Sequence, residues 1–143
     1  MLRVTLLLTI GCNSQVNLHL NMSGKLLEKD LQFEYLLGKY NRTKNNQSIN
    51  NWINENHGAS PFNAGIWKDV QTNQWFIGEI PKSINSDDCG GGNLCTCKFR
   101  NPSIINCPHE KMMLKWERHA TFFDWEEINS EDLQIKPKLG NNM

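Results

Sequence analysis

From Val16 to Met22 the chain alternates apolar and polar positions: Val-Asn-Leu-His-Leu-Asn-Met. A period of two predicts a strand with one buried face, and Ser23-Gly24 ends it with a turn. Residues 26–37 carry two periods at once. Leu26, Leu27 and Leu31 fit a short helix, whereas Phe33-Glu34-Tyr35-Leu36 alternates as a strand. Residues 41–51 are a loop by their asparagine content. Trp52-Ile53 reads as a short strand before the turn-rich stretch 56–61. The plainest prediction is a hairpin over residues 65–80. Its arms are Gly65-Ile66-Trp67-Lys68 and Gln74-Trp75-Phe76-Ile77-Gly78, rich in aromatic and β-branched residues, with Gln71-Thr72-Asn73 as the turn. Trp67 and Trp75 are expected in the core. Residues 83–98 form a polar loop rich in Gly and Cys, and residues 107–118 run from Cys107-Pro108 to Trp116-Glu117. Phe122-Phe123-Asp124-Trp125 and Leu133-Gln134-Ile135-Lys136 read as two last strands. The first and last strands are expected to lie close together, as domain termini often do.

No internal repeat, heptad or long helix is present in this pattern. It predicts an all-β domain, mainly antiparallel, of five to seven short strands with room for one short helix. The expected architecture is a small disulfide-tied sandwich or a partly open barrel.

A length of 143 residues favours one domain large enough to bury a core. Fifteen basic residues balance fifteen acidic ones, and the signs are interspersed. Nothing in that balance attracts nucleic acid or an anionic membrane. No stretch after the N-terminus reaches the roughly 18 apolar residues of a membrane-spanning helix.

The N-terminus changes the picture. Arg3, the apolar run Val4–Ile10 and the small residues up to Ser14 have the order of a secretory signal. Cleavage after Ser14 would make Gln15 the first mature residue. The domain assignment is therefore a signal over 1–14, whole or truncated, one extracellular domain over 15–138 and a disordered tail over 139–143. Two other readings of the run remain: a first β-strand, and a lipoprotein signal ending at Cys12, against which Thr9 stands where leucine is preferred. Removal of Cys12 leaves Cys89, Cys95, Cys97 and Cys107, an even set that points to two disulfides in a secreted chain. A Cys95–Cys97 ring would be strained. Pairings 89–95 with 97–107 and 89–97 with 95–107 both stand. Asn21, Asn41 and Asn46 head glycosylation sequons.

The order Gly38-x-Tyr40, an Asn-rich loop, Trp52, Ile66-Trp67 and Trp75-x-Ile77-Gly78 is familiar. A Gly/Cys loop, Cys107-Pro108, Trp116, Trp125, Asp132 and an alternating strand follow it. Over residues 16–136 this resembles an extracellular module of about 100 residues, of uncharacterised function, often repeated in secreted or surface proteins of animals and protists. The Asn-Gly-Arg-Pro segment usual in that module is degraded here to residues 46–52, and the loop holding Cys89, Cys95 and Cys97 is longer. The resemblance implies an extracellular β domain and no particular activity.

Chemistry is sparse. The spacing Cys-x5-Cys-x-Cys-x9-Cys-Pro-His does not match the paired knuckles of a zinc site. Residues 85–92 lack the alternating oxygen ligands and closing Glu of a calcium loop. His19, His57, His109 and His119 have no nucleophile elbow to serve, and Glu126, Glu127, Glu131 and Asp132 read as a charged surface turn. No catalytic residue, metal or cofactor is assigned. The expected function is a non-enzymatic recognition module that binds an extracellular protein or glycan through loops 41–64 and 83–106. Its expected anchors are Trp52, as an exposed aromatic, with Arg42 and Asp87. A structural spacer is the alternative, and a small secreted hydrolase a weaker one.

Overall fold

The computed structural model describes residues 12, 14–42, 51–56, 58–83, 89, 94–103, 106–110, 114–121 and 124–138. In chain order the elements are β1 (Asn17–Met22), α1 (Gly24–Leu27), α2 (Gln32–Tyr35), β2 (Gly38–Arg42), β3 (Asn51–Asn54) and β4 (Phe62–Lys68). They continue with β5 (Trp75–Pro81), β6 (Thr96–Asn101), β7 (Glu117–Thr121), β8 (Asp124–Glu127) and β9 (Leu133–Lys138). All nine strands form one sheet in the order β8-β7-β6-β5-β4-β3-β2-β1-β9, curled into a half-barrel. Every neighbouring pair is antiparallel. The expected all-β class and the partly open barrel are therefore what the chain adopts, with nine strands among the described residues rather than five to seven.

Connectivity explains the curl. Strands β1 to β8 follow one another as a meander, and β9 then pairs with β1 from Asn17↔Lys138 to Met22↔Leu133. Strands β8 and β9 thus lie at opposite ends of the sheet, yet only residues 128–132 separate them in the chain. An extended link of that length reaches no more than about 20 Å. The sheet must bend until its two edges face each other across a seam.

Alternation decides what each face buries. The inner face carries Leu18, Leu20, Tyr40, Trp52, Ile66, Trp75, Ile77 and Phe99, all fully enclosed. Cross-strand rows align them: Trp52 opposes Ile66, Ile66 opposes Ile77, and Ile77 opposes Phe99. The predicted β4–β5 hairpin is present, with Asp69 Oδ2 accepting from the Thr72 backbone N–H at 2.8 Å and Asn73 in the left-handed region at φ 62°. Both its tryptophans are buried, but on opposite faces. Trp75 joins the inner core, whereas Trp67 lies on the outer face with Ile80 and Cys89, flanked by Ile53, Phe76, Cys95 and Cys97. The sheet is covered on both sides at its centre.

The ambiguous stretch 26–37 resolves into two single helical turns. Ser23 caps α1 by accepting from the Leu26 N–H at 3.1 Å. Leu26 and, from α2, Phe33 turn into the core, where Phe33 meets Phe99 with ring centroids 4.8 Å apart. Tyr35 donates its hydroxyl hydrogen to the Phe62 carbonyl. The segments expected as long loops contain β3, the first three residues of β4 and all of β6, because Ile53, Ala64 and Phe99 supply short apolar alternations that the surrounding asparagines and glycines obscure.

Gly78 marks the close approach of β5 to β6. The register shifts between Ile77 and Gly78, and a Cβ added at Gly78 would collide with the Thr96 backbone carbonyl. The obstacle is main chain, so it cannot rotate aside. Gly78→Ala is expected to destabilise the fold by about 1–3 kcal/mol, the usual cost of overpacking. Urea unfolding measures it; a midpoint equal to that of the parent chain would show that β6 can move away freely.

Candidate functional site

Trp52 is not an exposed anchor. Its side chain is 0 % exposed, its Nε1 donates to the Val16 carbonyl at 2.9 Å, and its ring lies 5.9 Å from that of Trp75. The polar sequence around it suggested a loop, but β3 lies between β2 and β4, so its inward residue belongs to the core. Arg42, opposite Trp52 in register, stacks its guanidinium 4.3 Å from the Trp52 ring centre. It donates to the carbonyls of Cys12 at 2.9 Å and Asn51 at 3.3 Å. Burial lowers its pKa from the ordinary value. Arg42 is thus a tie within the fold and not a free contact for a ligand. Asp87 and the Asn46 sequon lie outside the described residues. Asn21 is exposed on β1 and Asn41 is half-buried on β2.

The cysteine assignment needs correction as well. Cys89 pairs with Cys95, one of the two bridges left open, but Cys107 pairs with Cys12, and Cys97 is a thiol. The count assumed that Cys12 is lost with a leader. In the fold Cys12 is buried next to Cys107, with a Cα separation of 4.7 Å, and a cut after Ser14 would remove it. Cys97 is packed against the outer cluster, opposite Gly78. Burial, reinforced by the charge of Asp69, pushes its thiol up to about 11 from the usual 9.0. Near pH 8 its thiolate fraction is therefore lower by about a hundredfold than that of an ordinary cysteine. One thiol per chain should react with Ellman's reagent, at least about tenfold more slowly in the native protein than in denaturant, since the lower thiolate fraction is partly offset by the greater nucleophilicity of a more basic thiolate. Two reactive thiols, or one that reacts fast in the native state, would contradict this placement.

The seam holds a concave site. A groove of about 440 Å³ runs beside β9. Leu133 and Ile135, on the inward face of β9, form one side; Pro108, Leu114 and Trp116 form the other. Glu110, Lys115, Ser130, Gln134 and Lys136 supply the polar lining. Several local interactions set the far wall. Asn101 donates its side-chain N–H to the Leu114 carbonyl at 3.1 Å, and Ser103 Oγ accepts from the Leu114 N–H at 2.7 Å. Glu110 Oε1 accepts from the backbone N–H groups of Asn106 and Cys107 at 3.0 and 2.9 Å, closing a turn. The Cys12–Cys107 bridge fastens that turn to the approach to β1. At the other end of the seam Lys29, just past α1, pairs with Glu126 at 3.7 Å, and Arg118 bonds the same carboxylate at 3.2 Å. Arg118 holds the Glu126 carboxyl below its ordinary pKa.

Among the described residues β9 has a strand partner on one side only. Its last three residues, Lys136-Pro137-Lys138, carry two charges and a residue without an N–H, the features that keep an edge strand from pairing indiscriminately. Residues 133–136 are left as a short edge flanking an apolar floor. The alternation at Leu133 and Ile135 identified the strand; the Lys-Pro-Lys ending was the available sign that it lies at an edge.

His109 is half-buried with its Nδ1 unpartnered, and burial lowers its pKa, against the opposing effect of Glu110. Glu110 Oε1 is engaged by the two amide hydrogens it accepts. Among the described residues no three His, Cys, Asp or Glu side chains gather to hold a metal, and no helix is long and apolar enough to cross a membrane. No protein-family model, curated protein or solved structure matches the chain.

Proposed function

We propose that this chain is a non-enzymatic extracellular recognition module that binds an extended segment of a partner protein in the seam groove. The observation that carries this reading is the unpaired edge of β9 beside the floor made by Trp116, Leu133 and Ile135. An extended peptide can add its main chain to such an edge while alternate side chains enter the groove. The groove walls also favour one kind of segment. Lys115 and Lys136 are exposed, whereas the one carboxylate among the described lining residues, that of Glu110, is bonded to backbone amides. A segment alternating apolar and acidic residues complements that lining. Disulfides on both sides of the sheet, and the resemblance to an extracellular module, support the compartment.

Selection from a displayed library of 12-residue peptides tests the reading. Selected peptides should alternate apolar and acidic positions. They should lose at least tenfold in affinity, about 1.4 kcal/mol, to Leu114→Glu. Leu114 is 53 % exposed, so the change leaves the core untouched. Peptides that bind parent and variant equally would move the site elsewhere, and a library yielding no binder would favour the structural-spacer reading.

A further inference from the structure

We infer that the chain is processed at the Gly11–Cys12 peptide bond, so that Cys12 and not Gln15 is its first mature residue; the inference rests on the extracellular reading above. Cys12 is built into the fold from three directions. Its side chain is 4 % exposed, its sulfur is bonded to Cys107, and its carbonyl accepts from Arg42 Nη2 at 2.9 Å. A cut after Ser14 would discard all of this. It would leave Cys107 as a second thiol and take from the Arg42 guanidinium one of its two carbonyl acceptors.

A cut immediately before Cys12 preserves every one of these contacts. Leader cleavage asks for an apolar run with small residues at the third position before the bond and immediately before it. Those positions are Thr9, near the end of the run Val4–Ile10, and Gly11, the residue that follows the run. The step is a hydrolysis. Water breaks the amide bond, its oxygen remains on the Gly11 carboxylate, and the Cys12 nitrogen takes a proton to become the new α-amine. The same geometry opposes lipidation of Cys12, because its sulfur already belongs to the bridge to Cys107.

Expression of the whole chain in a secretory host tests this, with intact mass and non-reducing peptide mapping of the medium after alkylation. The expected product begins at Cys12, carries a Cys12–Cys107 linked peptide and has one alkylated cysteine, Cys97. Gly11→Leu should abolish this cut, whereas Ser14→Leu should leave it unchanged. A product that begins at Gln15 with Cys97 and Cys107 both alkylated would overturn the inference and leave the extracellular reading intact. A chain found only inside the cells with Met1 still attached would refute the extracellular reading itself, and the inference with it.

Discussion

Replacing Cys107 with serine is expected to lower stability by about 4–5 kcal/mol, the larger loss of the two bridges. The Cys12–Cys107 bond spans 95 residues of chain and the Cys89–Cys95 bond spans 6. In the chain-entropy model a cross-link restricts the unfolded ensemble in proportion to the logarithm of the loop it closes. The long bridge is then worth about 4.7 kcal/mol and the short one about 2.2 kcal/mol. Cys12 and Cys107 are both buried, so the exchange of sulfur for hydroxyl adds an unfavourable term of the same sign. Guanidinium denaturation of oxidised parent, Cys107→Ser and Cys89→Ser chains measures the difference. Cys12→Ser should match Cys107→Ser, because each breaks the same bond. Equal midpoints for the parent and both of these variants would show that the bridge does not form. A greater loss for Cys89→Ser would mean that strain or packing in the outer cluster, and not loop closure, sets the contribution of these bonds.

The parts of this fold that were legible in the sequence are those where local pattern and final environment agree. Val16–Met22 alternates because β1 has one buried face, and the 65–80 hairpin shows its turn at Asn73 for the same reason. That the first and last strands lie close together followed from a general tendency of termini; the structure goes further and pairs β1 with β9 over six residues. Trp52 misled because composition describes neighbours in the chain, whereas burial is set by neighbours in the sheet. Asn51 and Asn54 are both buried beside it, and Asn54 donates its side-chain N–H to the Leu37 carbonyl at 2.9 Å. Asparagines that looked like solvated loop are thus internal hydrogen-bonding groups. The cysteine count failed differently. It followed arithmetically from a cleavage point, and moving that point by three residues changes an even set into an odd one. The groove was not visible at all, since its walls come from residues 108, 110 and 114–116 and from residues 130 and 133–136, which meet only because the sheet curls.

Trp52→Ala is expected to cost about 3–5 kcal/mol, as for other fully buried tryptophans. The indole fills the inner face between Ile66, opposite it on β4, and the ring of Trp75. Its loss opens a cavity in the inner face. It also leaves the Val16 carbonyl without the Nε1–H donor and the Arg42 guanidinium without the ring it stacks on. Trp52→Phe separates these contributions. It keeps most of the buried ring and gives up the donor, so it should cost less, about 1–3 kcal/mol, chiefly from the smaller ring and the lost hydrogen bond. Urea midpoints of the two variants, with near-ultraviolet circular dichroism as a check on packing, measure both. An alanine variant with an unchanged midpoint and a lost affinity for a selected peptide would restore Trp52 as an exposed anchor. The same variant with a lowered midpoint and undiminished peptide affinity under native conditions would assign it to the core alone, with recognition at the seam.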